Sequence, residues 1–162
     1  MLKDFLPPHI YRVDSQPVYF DPVRKKYVPA TERETVRQRV VPYLIEELEV
    51  PQRMIRIGEK LSEYGLNFRH RADIVIERFD RAENVLRPLA VVECKALENP
   101  LGEPALNETF DYAEKLGCDY CLLTNGDAAF CFYLGAENYI ELEKLPPYRD
   151  MLKGFYTPKH CG

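Results

Sequence analysis

Glu93 and Lys95 stand two residues apart at the end of the apolar run Leu89-Ala90-Val91-Val92. On a β-strand that spacing turns both side chains to one face of the sheet. A carboxylate and an ammonium at the end of a buried strand are costly unless they are paired or hold a metal. Asp73 stands beside a second apolar run, Ile74-Val75-Ile76, which supplies another carboxylate from the preceding strand. Phosphodiester hydrolysis needs such a set. Carboxylates hold Mg²⁺ (or Mn²⁺ in its place) with part of its water shell. A nearby lysine orients the attacking water or stabilises charge in the transition state. The plain alternative is a Glu93–Lys95 ion pair without chemistry, since Glu-x-Lys recurs by chance.

Two further acids are candidates for the same site. Glu34 closes Thr31-Glu32-Arg33-Glu34, the spacing of a capping box that opens a helix. It also lies at the border of the helix's apolar stripe, beside Gln38 and Val41, from where it could face the site. Glu59 shares strand parity with Ile55, Ile57 and Leu61, which makes it a candidate third metal ligand; the alternative is a frayed strand end. Arg37, Arg39, Arg53, Arg56, Arg69 and Arg71 are candidate phosphate contacts, Arg37 and Arg71 foremost, against the alternative of solvated surface charge. His9, His70 and His160 are scattered and carry no assigned role.

The elements that must position these residues follow from periodicity. After the capping box, Val36, Val40, Val41, Leu44, Ile45 and Leu48 form a helical stripe, with Pro42 expected to kink the helix before it ends near Glu49. Strands are expected over 53–61, 70–78 and 88–95. Gly102 and Pro104 introduce a helix to about Leu116, stopped by Gly117. A strand over 119–124 leads through Asn125-Gly126, a hairpin signal, into 128–134, with an edge strand over 138–142 and a helical turn after Pro146. The order α-β-β-β-α-β-β predicts an α/β (α+β) domain: a central mixed sheet flanked by helices.

The chain of 162 residues suits one domain, with a Pro-rich irregular arm over 1–30 that has room for short strands such as 17–20 and carries the basic run Arg24-Lys25-Lys26, a core over 31–145 and a tail over 146–162. No apolar run approaches the ~20 residues of a membrane span. The N-terminus lacks an apolar signal core, so a cytoplasmic protein without a membrane partner is expected. Cys94, Cys118, Cys121, Cys131 and Cys161 read as reduced thiols, and the single pair Cys118-x-x-Cys121 lacks the second pair that structural zinc requires. A net charge of −4 argues against coating nucleic acid by charge alone. It does not argue against a local cluster of carboxylates awaiting metal.

From Asp21 to Phe132, the stretches DPVRKKYVPATERETVRQRVVPYLIEEL, RIGEKL, RADIVIE, LAVVECKA and YAEKLGCDYCLLTNG occur in that order. Together they resemble the N-terminal nuclease domain of type I restriction enzyme restriction subunits, within the PD-(D/E)xK superfamily. The resemblance implies a restriction-endonuclease-like core and an Mg²⁺-dependent endonuclease. In it Glu34 matches the helical acid, Asp73 the first metal-binding carboxylate, and Glu93 with Lys95 the (D/E)xK pair. The family's Gln-x-x-x-Tyr motif, implied to contact DNA, finds Tyr112 but has Glu108 in place of Gln, the two sharing a helix face at i, i+4. Implied partners are DNA, restriction-modification subunits and an ATP-driven motor. The chain has no GxxxxGK[ST] phosphate loop, so no motor is expected within it. The alternative is a nuclease-like module without activity that docks on DNA or on a restriction complex.

Overall fold

The computed structural model describes residues 1–67, 70–135 and 137–153; Arg69, His160 and Cys161 lie outside the described residues. The expected arm is a folded sheet. Strands β1 (Tyr11–Val13), β2 (Gln16–Asp21) and β3 (Lys26–Pro29) form an antiparallel meander. Val13 pairs with Gln16, so Asp14 and Ser15 are a two-residue turn, both at positive φ (49° and 66°). That is the backbone a tight hairpin requires, supplied here without the usual glycine. Pro17 sits near the start of β2, where its missing N–H disturbs the ladder least.

Helix α1 (Glu32–Pro42) starts at Thr31, whose Oγ1 accepts the Glu34 N–H at 3.1 Å. It buries Val36, Val40 and Val41, as the stripe predicts. Pro42 ends the regular helix rather than kinking it. Having no N–H to give, it leaves the next turn, Tyr43–Glu47, to wind as a π-helix. Glu49, at φ 57°, then turns the chain away.

Six strands form the central sheet: β4 (Ile55–Ile57), β5 (Ile74–Asp80), β6 (Val85–Cys94), β7 (Tyr120–Thr124), β8 (Ala129–Leu134) and β9 (Tyr139–Leu142). Their order in space is their order in the chain. All neighbours are antiparallel except β6 and β7, whose parallel pairing requires the crossover helix α2 (Glu103–Leu116). Gly117, at φ 70°, ends α2 in the left-handed conformation. Every residue of β7 is buried.

Helices cover both faces. Val36, Val40 and Val41 of α1 pack with Ile74, Ile76, Ala90, Val92 and Leu122. Tyr112, Ala113 and Leu116 of α2 pack with Val75, Val91 and Cys121, the alternate residues of the same strands. The helical turn α3 (Tyr148–Met151) is tied back to β5 by the Tyr148 hydroxyl, which donates to the Glu77 carbonyl at 2.8 Å.

Several boundaries differ from expectation: the strands expected over 70–78 and 88–95 run as Ile74–Asp80 and Val85–Cys94, and the helix expected to reach Glu49 ends as a regular helix at Pro42. The strand expected over 53–61 stops at Ile57, because Gly58 turns to φ 67° and Leu61–Tyr64 winds as a 3₁₀ turn. The hairpin after β7 uses a four-residue loop, in which Asn125 Oδ1 accepts the N–H groups of Asp127 (3.1 Å) and Ala128 (2.9 Å). Among the described residues no helix is long and apolar enough to cross a membrane.

Candidate functional site

The register Ile74↔Val92 carries Asp73, one residue before β5, to a position across from Glu93 on β6. The Asp73 N–H donates to Glu93 Oε1 at 3.2 Å, and the Cys94 N–H donates to Asp73 Oδ2 at 2.8 Å. Both carboxylates are almost fully buried. Their charge is answered from the first two turns of α1. Arg33 Nη2 lies 2.7 Å from Asp73 Oδ2 and 3.9 Å from Glu93 Oε2, and Arg37 Nη2 lies 2.5 Å from Asp73 Oδ1.

The two acids respond in opposite directions. Burial pushes Asp73 up, but Arg33, Arg37 and the Cys94 N–H together outweigh it and hold the carboxyl below its usual range. Burial, and then the adjacent Asp73 charge, hold Glu93 well above the usual range. Glu93 Oε2 is buried without a hydrogen-bond partner. A buried oxygen without a hydrogen bond is expensive to keep.

Glu34 does not reach these carboxylates directly. Its oxygens accept from Arg24, from Arg37 Nη1 (2.8 Å) and from Gln38 Nε2 (3.0 Å). The capping box is therefore half made: Thr31 caps Glu34, while the Thr31 N–H turns to the Pro29 carbonyl (2.9 Å) and leaves the Glu34 side chain for the arginines. Arg24 comes from the β2–β3 turn, where the buried Asp21 accepts its N–H (2.9 Å) and its Nε (2.6 Å). A chain of alternating charge thus runs Asp21, Arg24, Glu34, Arg37, Asp73, Arg33, Glu93. Asp21, Arg24 and Arg33 were not singled out from the sequence. Their partners are remote in the chain, and the only signal was the i, i+4 spacing of Arg33 and Arg37 on the face of α1 next to Glu34.

A cleft of about 920 Å³ opens beside Asp73. It is lined by Arg24, Lys26, Arg33, Arg37 and Arg71 against Asp73, Glu59 and Glu108, so it is locally basic on an acidic chain. Lys95 follows the end of β6, its side chain 22% exposed, with Nζ 3.5 Å from Glu108 Oε2. Glu108 therefore neutralises the lysine rather than presenting a donor to a phosphate. Tyr112 is buried against the α2 side of the core and forms cleft wall near His70, their rings 6.2 Å apart. Glu59 lies on the cleft wall beyond β4, not on a strand. Among the described residues no three of His, Cys, Asp and Glu gather closely enough to hold a metal together, so Glu59 does not complete a site with Asp73 and Glu93.

The basic candidates divide. Arg71 is exposed on the cleft wall, where its Nη1 donates to the Gly58 carbonyl at 2.8 Å. Arg37, 13% exposed and held by Glu34 and Asp73, is no surface contact. Arg39 clamps the Phe5 and Gly126 carbonyls (2.9 and 3.0 Å), and Arg56 pairs with Glu77 at 2.7 Å. These two are structural.

The family profile of the type I restriction enzyme R protein N terminus matches residues 32–146, from the first turn of α1 to the tail. The chain belongs to this family. A solved fragment assigned to an HsdR subunit of a type I restriction enzyme from Vibrio vulnificus YJ016 shares 23% identity over 75% of this chain, with a TM-score of 0.50. At that identity the likeness speaks for the fold, a mixed sheet flanked by helices. The chain spans 25% of the length of that solved chain. No curated protein matches it. For an R-protein N-terminal domain, the feature that could carry chemistry is the carboxylate pair of Asp73, just before β5, and Glu93, on β6.

Proposed function

We propose that this R-protein N-terminal domain is an Mg²⁺-dependent endonuclease that hydrolyses DNA without sequence specificity of its own. The observation that supports it most is the buried pair Asp73 and Glu93, set beside a basic cleft with Glu93 Oε2 lacking any partner. Two buried carboxylates with one unsatisfied oxygen fit a hard divalent cation, which takes oxygen ligands. Asp73 and Glu93 would hold Mg²⁺ or Mn²⁺. Bound there, the ion would polarise the phosphate and make its own water a stronger acid.

The chain's own residues do the rest. Lys95, on the same strand edge as Glu93, orients the attacking water or meets charge growing on the phosphate. Arg71 and Lys26 on the cleft wall hold the DNA backbone, which fixes position without reading bases. Glu34 acts at one remove, fixing Arg24 and Arg37 around Asp73. In the restriction system the proposed partners are DNA, the other restriction-modification subunits and an ATP-driven motor, all in the cytoplasm.

A second reading, a module that docks on DNA without cutting it, is favoured by the arginines on Asp73 and by Glu108 on Lys95. A crystal soaked in Mn²⁺ separates the two. Anomalous density between Asp73 and Glu93 is the expected result; Mn²⁺ bound only elsewhere, or nowhere, would leave the docking module.

A further inference from the structure

Arg33 stands apart from the other cations of the site. Its Nη2 lies between the two carboxylates, bonded to Asp73 Oδ2 at 2.7 Å and 3.9 Å from Glu93 Oε2. At 3.9 Å it lies near Glu93 Oε2 without satisfying it, and that oxygen stays without a hydrogen bond. Arg33 is also loosely held. Its side chain is 48% exposed and among the described residues pairs with these two acids alone, whereas Arg37 is 13% exposed and is held by Glu34 as well.

Asp73 and Glu93 would hold a divalent ion, which takes oxygen ligands. A guanidinium bonded to Asp73 would then be a like charge beside that ion, in a site of low dielectric. The two cations compete for the same carboxylates. Glu93 Oε2, which Arg33 does not satisfy, would be open to the ion. Arg33 already lines the cleft and has solvent on one side, so its displacement needs only a side-chain rotation.

We propose that Arg33 is the resident counter-ion of the metal-free site: the incoming divalent ion displaces its guanidinium from Asp73 and Glu93, and the freed guanidinium binds the DNA phosphate in the cleft. The inference rests on the nuclease reading above. A planar guanidinium suits both partners, since it pairs bidentately with carboxylate and with phosphate. Metal binding then releases a DNA contact, and DNA binding removes a competitor of the metal. By linkage each raises the affinity of the other by the same factor.

Two measurements test this on wild type, Arg33→Ala, Arg33→Gln and Arg71→Ala. Arg33→Gln keeps length and hydrogen bonding without charge, in case Arg33→Ala disturbs the start of α1. Arg71→Ala removes a cation from the same cleft that touches neither carboxylate. The first is calorimetric titration with Mn²⁺ and no DNA. Both Arg33 variants should bind Mn²⁺ roughly tenfold more tightly, as loss of one charge-assisted competitor implies. Arg71→Ala should stay within about twofold of wild type, being distant from the ion. The second is DNA binding in Ca²⁺, which fills the site without turnover, and again in EDTA. Arg33 variants should lose DNA affinity several-fold in Ca²⁺ and not in EDTA, where the guanidinium is occupied; Arg71→Ala should lose it in both. Equal Mn²⁺ affinity in wild type and Arg33 variants overturns the proposal and spares the nuclease reading. The same DNA loss in Ca²⁺ and EDTA also overturns it. Absence of Mn²⁺ binding in every protein overturns both.

Discussion

Lys95 and Glu108 meet at 3.5 Å with 22% and 43% of their side chains exposed, a weak, solvent-screened pair. Weak as it is, it places a negative charge beside Lys95 and, in the proposed nuclease, close to where a phosphate would bind. Glu108→Gln should therefore raise DNA affinity and the rate of cleavage about threefold, the effect of losing one screened charge near the backbone. Filter binding and a nicking rate read both; a fall in either would mean that Glu108 serves the site. That Asp73 and Glu93 come face to face was legible, because the strand period and their apolar neighbours fixed which way they point. The counter-ions were not. Arg33 lies 40 residues from Asp73, and no local rule connects them. Arg37 was read as a phosphate contact because sequence gives its charge and not its partner. Glu34 kept two readings, cap or site, and the structure gives it a place between them: its N–H is capped by Thr31 and its carboxylate holds Arg24 and Arg37.

The helix α2 was legible almost to the residue, since Gly102-x-Pro104 and Gly117 bound it, and its place as a crossover implied the mixed sheet that the parallel pair β6–β7 makes. Gly117 holds φ 70°, and a Cβ there would meet nothing within 4 Å. Gly117→Ala should thus cost only the left-handed strain, about 1 kcal/mol of unfolding free energy, read as a lower urea midpoint at constant slope. No loss would show that α2 can end otherwise. β4 was over-extended in the sequence reading because alternation continues past Ile57, while Gly58 breaks the strand by its backbone alone. Of the first sheet only a short strand over 17–20 was legible, because prolines masked a meander whose tight turn is Asp14-Ser15 rather than Asn-Gly. Buried strands also set the thiols. Burial pushes Cys121 on β7 up to about 12 and Cys131 on β8 up to about 11. An unfolded thiol ionises near ~8.5. Between those values the folded chain keeps protons that the unfolded chain has released. The contribution to stability is therefore complete below about pH 8.5 and is lost as pH rises through 11 to 12. Urea midpoints should fall between about pH 8 and pH 10, and both thiols should resist iodoacetamide in the native protein. A rising midpoint, or rapid native alkylation of Cys121, would contradict the burial.

At the scale of the whole molecule, a chain of net charge −4 carries a cleft lined by five Lys or Arg residues and three acids. Grip on DNA is then local and modest. A protein that neutralises few phosphates binds weakly and loses what it has as salt rises. Family membership, the mixed sheet and the position of the acid pair support one account, in which the end of β5 and β6 is where DNA is cut. The most direct measurement is nicking of supercoiled plasmid across a salt series, with Mg²⁺, with Ca²⁺, and with and without ATP, for wild type, Lys95→Ala and Asp73→Asn. The account predicts slow cutting at no defined sequence, in Mg²⁺ alone, falling with salt and indifferent to ATP. Lys95→Ala should be inactive while still binding Mn²⁺, and Asp73→Asn should lose both cleavage and metal affinity. Cleavage by Lys95→Ala at the wild-type rate, or in EDTA, would contradict it.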